Sequence, residues 1–316
     1  MTKNTKKNRG KKRWQKRWQK RWQKRSKKKK NKKKRSKKLN KKQCSAKNKH
    51  DFLDFTCYKP TMLYKMRTIW NTRNPHLSIK TNNLKKIWES LGNYMQKSCK
   101  NEVCWMKSNL FKNRFTSKEL KNIFAPAQPT EWKKNPNEWL SSIEISELMK
   151  QYEDAYKCFE FIGPTPIDFD EHLAYGKCVW EDLCKFNLKD KIDKGINKIG
   201  IIFNLDTHDK PGSHWTSMFI NFKLKKIYYF DSYGDDLSPK RVITLANRIQ
   251  EQSKEFGKEY KFIINKKRHQ YSRSECGMYC LYFIIQLIKD VPFSRFSKKV
   301  NDKYMKRLRN KYFNQH

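Results

Sequence analysis

The sequence has no apolar run approaching the roughly 18 residues that a membrane-spanning helix requires, and its amino terminus is a block of charge without the apolar segment of a signal peptide. Membrane integration and secretion are therefore not expected. Acidic residues are scarce, 30 against 74 Lys and Arg in 316 residues, and residues 1–43 have none beside 25 basic side chains. The formal net charge of +44 exceeds what solubility requires and points to contact with a polyanion such as nucleic acid. The remaining 273 residues, with 49 basic and 30 acidic side chains, still carry +19. No cysteine pair has the C-x2-C spacing of a zinc site; the nearest pairs are Cys99 with Cys104 and Cys178 with Cys184, preceded by His172. No metal and no cofactor are expected. The nine cysteines are odd in number and scattered through a chain without an export signal, so they read as reduced thiols of an intracellular protein.

What is present falls into three parts: a Lys/Arg-rich tail at 1–50, a helical arm at 51–130 and a catalytic domain at 131–316. In the tail, KRWQ occurs three times in succession from Lys12, placing Trp14, Trp18 and Trp22 at helical spacing, each preceded by Arg13, Arg17 or Arg21. So dense a positive block repels itself and has little to bury, so disorder is expected in isolation. Its chemistry suits phosphate contacts and stacking of Trp or Arg on bases, without sequence preference, and it also fits a nuclear-import-like signal.

In the arm, Leu84, Ile87, Trp88, Leu91 and Met95 follow a 3.6-residue period with Asn82 or Asn83 available as cap, and Thr116-x-x-Glu119 reads as a capping box. Ala125-Pro-Ala-Gln-Pro129 and Pro136 mark a joint. Beyond it, Leu148, Met149, Tyr152, Ala155 and Tyr156 predict an amphipathic helix ending before a loop at Gly163-Pro-Thr-Pro166. Strands are predicted at Ile199–Leu205, Trp215–Phe222, Ile227–Phe230 and Phe262–Ile264. Ser238-Pro239 reads as a cap and first helical proline ahead of Val242, Leu245, Ala246 and Ile249. Residues 277–288, apolar all round but too short to span a bilayer, predict a buried central helix.

Four polar residues fall at the ends of these elements: His214 opening one strand, Asp231 closing the next, and Gln270 and Cys276 just ahead of the buried helix. A thiol at a helix start, an imidazole to take its proton, a carboxylate to orient that ring and an amide to face an oxyanion are the parts of a cysteine-protease site. His208 lacks a following tryptophan and would break the spacing to Asp231, His269 sits among loop residues, and Cys280 lies one turn inside the helix.

His214-Trp215, seventeen residues to Asp231-Ser232, then Gln270-x5-Cys276-Gly277, with Trp139-Leu140 at the start, resembles the adenovirus-protease and SUMO-specific protease superfamily. Within it, NEWLSSIEISELMKQYE, FEFIGPTPIDF and HQYSRSECGMYCLYF are similar to segments of the processing proteases of nucleocytoplasmic large DNA viruses. The resemblance covers about 137–290. It implies an α+β fold with a papain-like mixed sheet, a His214–Asp231–Cys276 triad, Gln270 as oxyanion donor, and Trp215 over a narrow cleft that admits glycine-like residues. Gly277 would let the backbone approach substrate, although packing would explain it equally. The implied function is an endopeptidase maturing viral precursor proteins, in the virion and host cytoplasm, with the nucleus open to it. Three alternatives remain: removal of SUMO or ubiquitin-like tails, an acetyltransferase of the same His, acid, Cys order, and a non-enzymatic nucleic-acid-binding protein. The sequence shows no phosphate-cradling glycine loop for acetyl-coenzyme A.

Overall fold

A computed structural model describes residues 44–46, 53–235 and 238–314. The expectations placed on the KRWQ repeats, with Trp14, Trp18, Trp22, Arg13, Arg17 and Arg21, lie outside the described residues.

The arm contributes α1 (Pro60–Arg73), α2 (Leu84–Met95), α3 (Glu102–Lys107) and α4 (Ser117–Leu120). Their starts are locally encoded: Pro60 opens α1, the Asn83 side chain accepts from Lys86 N, the Asn101 side chain accepts from Cys104 N, and Thr116 with Glu119 closes a capping box. These helices enclose an apolar core of their own around Leu63, Met66, Ile87, Leu91, Trp105 and Phe111.

The following elements are α5 (Ser142–Ala155), β1 (Phe159–Pro166), α6 (Glu181–Cys184), α7 (Leu188–Asp193), β2 (Lys198–Asn204), β3 (Trp215–Asn221) and β4 (Lys226–Phe230). After them come α8 (Lys240–Lys254), β5 (Lys261–Ile264), α9 (Cys276–Ile288) and α10 (Asp302–Tyr312). The strands form one mixed sheet in the order β1-β2-β3-β4-β5, antiparallel in the centre and parallel at both flanks. Alternation along the strands supplies two cores. Phe219, Tyr228 and Phe230 pack with α9, α5 and α10, whereas Met218, Ile220, Ile227 and Tyr229 pack against Val242, Leu245 and Ile249 of α8. The central helix α9 is buried nearly throughout, as its all-round apolar sequence requires. Among the described residues no helix is long and apolar enough to cross a membrane.

Three expectations need correction. The segment Gly163-Pro-Thr-Pro166 is not a loop but the end of β1. β1 lies at the sheet edge, and its register shifts between Ile162 and Thr165, so Pro164 sits where a missing N–H costs no regular ladder bond. Helix α8 starts at Lys240 with Pro239 as its cap, one residue later than the Ser-Pro pattern implies. The cysteines are not all thiols: the structure pairs Cys44 with Cys57, Cys99 with Cys104, and Cys178 with Cys184, leaving Cys158, Cys276 and Cys280 free. The fold brings each pair to a Cα separation between 5.1 and 6.2 Å, within disulfide range, and composition alone carries no such information.

Candidate active site

His214 immediately precedes β3 and Asp231 immediately follows β4. Because these strands are antiparallel neighbours, with Ser217 opposite Phe230, the start of one lies beside the end of the other. His214 Nε2 is consequently 2.8 Å from Asp231 Oδ1, and both side chains are largely buried. Helix α9 lies across β3, where the Cys280 thiol donates to Trp215 O at 3.2 Å. One turn earlier, Cys276 opens the helix, near enough to His214 to help hold the ring's proton. With Nε2 taken by Asp231, Nδ1 is the ring nitrogen left for Cys276.

Burial by itself weakens the hold of His214 on its proton. The hydrogen bond to Asp231 and the nearby Cys276 thiol, together with their charges, outweigh it and push the pKa up to about 9. The ring also stacks on Tyr233, with centroids 4.7 Å apart. Asp231 is held in turn: Oδ1 accepts from Tyr233 N at 2.8 Å, and its backbone carbonyl accepts from Asn265 Nδ2 at 3.0 Å.

Gln270 reaches this cluster through the turn that follows Asp231. Ser232 O accepts from both His269 N and Gln270 N, and Ser232 Oγ donates to Gln270 Oε1 at 2.6 Å. Gln270 Nε2 donates to Ser272 O at 2.7 Å, which uses one of the two amide hydrogens. The turn needs glycine at 234, where φ is +73° and a Cβ would stand 2.5 Å from Arg268 N. Ser232, Tyr233, Gly234 and Asn265 thus support the site. Sequence reasoning assigned them no role; the string FDSYG was visible but could equally be an ordinary turn.

A cavity of about 730 Å³ opens beside His214, with Trp139, Leu140, Pro164, Trp180 and Trp215 in its walls. The Trp215 indole donates to Leu140 O at 2.9 Å and is 8% exposed, so it forms fixed wall. Gly277 is buried against Leu140, and a Cβ there would lie 3.0 Å from the leucine side chain, a contact tight enough that packing accounts for the glycine as readily as substrate approach does.

The other candidates lie elsewhere. His208 Nδ1 is 2.7 Å from Asp168 Oδ2, a hydrogen bond that raises its pKa, and it does not join Asp231. His269 is buried, accepts from Val300 N through Nδ1, and is pushed down to about 4 by burial. Burial raises the Cys280 thiol far above its ordinary range. Among the described residues, His172, Cys178 and Cys184 bring potential metal-ligating atoms within 4.8 Å of one another, but the two cysteines are joined in a disulfide.

Comparison with known proteins adds three findings. The family model described as "Ulp1 protease family, C-terminal catalytic domain" matches residues 144–316. Protein R355 of Acanthamoeba polyphaga mimivirus is 28% identical over 84% of this chain and 91% of its own length, and a cysteine protease of African swine fever virus is 26% identical over 72% and 89%. The crystal structure of the selenomethionine form of the ASFV pS273R protease shares the fold with a TM-score of 0.60 at 21% identity, covering 86% of this chain and 96% of that one.

Proposed function

Because the chain belongs to the Ulp1 protease family and is a thiol peptidase, we propose that it is an endopeptidase that matures viral precursor proteins by cutting after Gly-Gly-like residues, with Cys276 as nucleophile. One observation carries the assignment: His214, fixed by Asp231 at 2.8 Å, is coupled to Cys276, the cysteine that opens a buried helix.

In this reading His214 takes the Cys276 proton, and the sulfur attacks the carbonyl carbon of the scissile peptide. The carbonyl π electrons move to oxygen. The resulting oxyanion accepts hydrogen bonds from the Cys276 backbone N–H and the Gln270 amide, near the positive end of α9. The intermediate collapses with cleavage of the C–N bond, and His214 delivers its proton to the departing amine. Water, deprotonated by the same imidazole, then hydrolyses the thioester and restores the thiol. Asp231 holds the ring and balances its positive charge throughout. The preference for residues with little or no side chain follows the family resemblance, in which Trp215, held in the cavity wall beside His214, covers the cleft.

The basic tail suits a second role, concentrating the enzyme on packaged nucleic acid near its substrates in the virion and the host cytoplasm. The deciding experiment incubates wild-type and Cys276→Ala protein with Gly-Gly-containing virion precursors and, separately, with ubiquitin-like fusions. Cys276-dependent cleavage of precursors is expected. Cleavage of the fusions alone would redirect the reading to deconjugation, and cleavage of neither would remove it.

A further inference from the structure

The loop 271–275 separates the proposed oxyanion donor from the proposed nucleophile, so its conformation sets the distance between them. At the loop's start, the Gln270 amide is anchored to Ser272 O, and Arg268 Nε donates to Gln270 O at 3.0 Å. The loop's own N–H groups turn the other way, towards α10. Tyr271 N lies 3.4 and 3.2 Å from the two carboxylate oxygens of Asp302, and Ser272 N lies 3.1 Å from Oδ2. The Tyr279 hydroxyl, on the first turn of α9 after Cys276, lies 3.0 Å from Asp302 Oδ1 and shares its one hydrogen between that oxygen and the backbone carbonyls of Val300 at 2.9 Å and His269 at 3.1 Å. One carboxylate therefore ties the start of the loop to the helix that follows it. At the loop's other end, the buried Glu275 pairs with the buried Arg309 of the same helix α10, at 3.5 Å.

We infer that Asp302 is a positioning residue for catalysis, one that holds the Gln270–Ser272 backbone in register with Cys276 from outside the active site. The inference rests on the peptidase reading of that site. Two adjacent N–H groups in an irregular segment have no ladder partner, and a carboxylate is the acceptor that satisfies both with charge-assisted bonds. Asp302 does not touch the reacting atoms. Its removal frees the loop to move the oxyanion donor, and donors displaced by even about 1 Å lose much of their value at the transition state. Substrate binding depends on the walls of the cavity beside His214, to which neither Asp302 nor the loop 271–275 contributes, and should not change.

The test measures kcat, KM and Tm for Asp302→Ala, Asp302→Asn, Asn301→Ala and Lys303→Ala in the full-length protein, on a peptide that the wild-type enzyme cleaves in a Cys276-dependent manner. Asp302→Ala is expected to lose about tenfold or more in kcat with KM within about twofold. Asp302→Asn, which keeps one acceptor oxygen, should recover part of the loss. Asn301→Ala removes the side chain that accepts from Tyr304 N and caps α10, so it should lower Tm while leaving kcat unchanged. Lys303 is exposed and serves as the neutral control. A kcat loss as large in Asn301→Ala as in Asp302→Ala, or an Asp302→Ala defect confined to KM, would overturn the inference by reducing Asp302 to ordinary helix support. Unchanged kcat in Asp302→Ala would overturn it while leaving the peptidase reading intact. Absence of Cys276-dependent turnover in the wild-type protein would instead defeat the peptidase reading, and this inference with it.

Discussion

The Ser232 hydroxyl donates to Gln270 Oε1 at 2.6 Å, joining the turn that carries Asp231 to the loop that leads to Cys276. That bond orients the Gln270 amide, because with the oxygen fixed on Ser232 the nitrogen must point the other way. Gln270→Ala is therefore expected to lower kcat by about 10²–10³-fold with little change in KM. Ser232→Ala should lower it less, since the amide stays but is no longer oriented. Steady-state kinetics on a cleavable peptide separate these outcomes. A pure KM effect in Gln270→Ala would assign the glutamine to loop packing.

Cys276→Ala and His214→Ala should each reduce cleavage to background while the fold survives. Asp231→Asn should retain measurable turnover, because it disturbs the tautomer and orientation of His214 without removing the covalent route. Competitive alkylation supplies a check independent of substrate. Iodoacetamide near pH 6 should label Cys276 ahead of Cys280, which lies sealed in the core. Faster labelling of Cys280 would be incompatible with Cys276 as the nucleophile.

Two histidines should shape stability against pH in opposite directions. His214 has a folded pKa raised to about 9, so its contribution is complete below its ordinary 6.5 and is lost as pH rises through 9. His269 is lowered to about 4, so the unfolded chain takes up a proton at 6.5 that the folded chain refuses until 4, and stability falls as pH drops through that window. Each shift corresponds to about 3 kcal/mol at most. Urea denaturation across pH should show both limbs. His214→Gln should flatten the alkaline limb, and His269→Asn the acid one; unchanged slopes would contradict the assignments.

Thiol titration tests the cysteine pairing. Denatured but unreduced protein should present three reactive thiols, Cys158, Cys276 and Cys280, and nine after reduction. Nine before reduction would mean that the all-thiol expectation was right after all.

Deletion of residues 1–43 should leave peptide cleavage near the wild-type level while weakening nucleic-acid binding. The loss of 25 basic groups should also flatten the dependence of log affinity on log salt, although the +19 body retains some attraction. Replacing Trp14, Trp18 and Trp22 with Ala should impair single-strand binding more than duplex binding, because stacking on an exposed base is worth roughly 1–3 kcal/mol. Equal salt slopes for the two lengths would assign the tail to another purpose.

Much of the scaffold could be read from the sequence because its signals are local. The apolar run at 277–288 gave a buried helix, the Asn82–Asn83 pair and the Thr116–Glu119 box gave helix starts, with Asn83 the residue that caps, and the short apolar or alternating runs at 215–222 and 227–230 gave the two central strands. Their antiparallel pairing then follows from the short turn between them, and it puts a residue just before β3 beside one just after β4. Residue types and order along the chain thus determined which imidazole, carboxylate and thiol were available at element ends.

Tertiary structure alone decided the rest. The final strand residues of β1 carry prolines that read locally as a loop, and only their edge position makes them tolerable as strand. The Ser232–Gln270 bond and the grip of Asp302 on Tyr271 and Ser272 join groups whose separation in sequence says nothing about their distance in space, and the geometry that lets the neighbouring cysteines pair is likewise set by the fold. Periodicity and capping arise within a few residues and leave a pattern in the chain. A hydrogen bond across 30 or more residues leaves none, because any carboxylate on any surface turn satisfies the same local rules until the packed core chooses which one meets the loop.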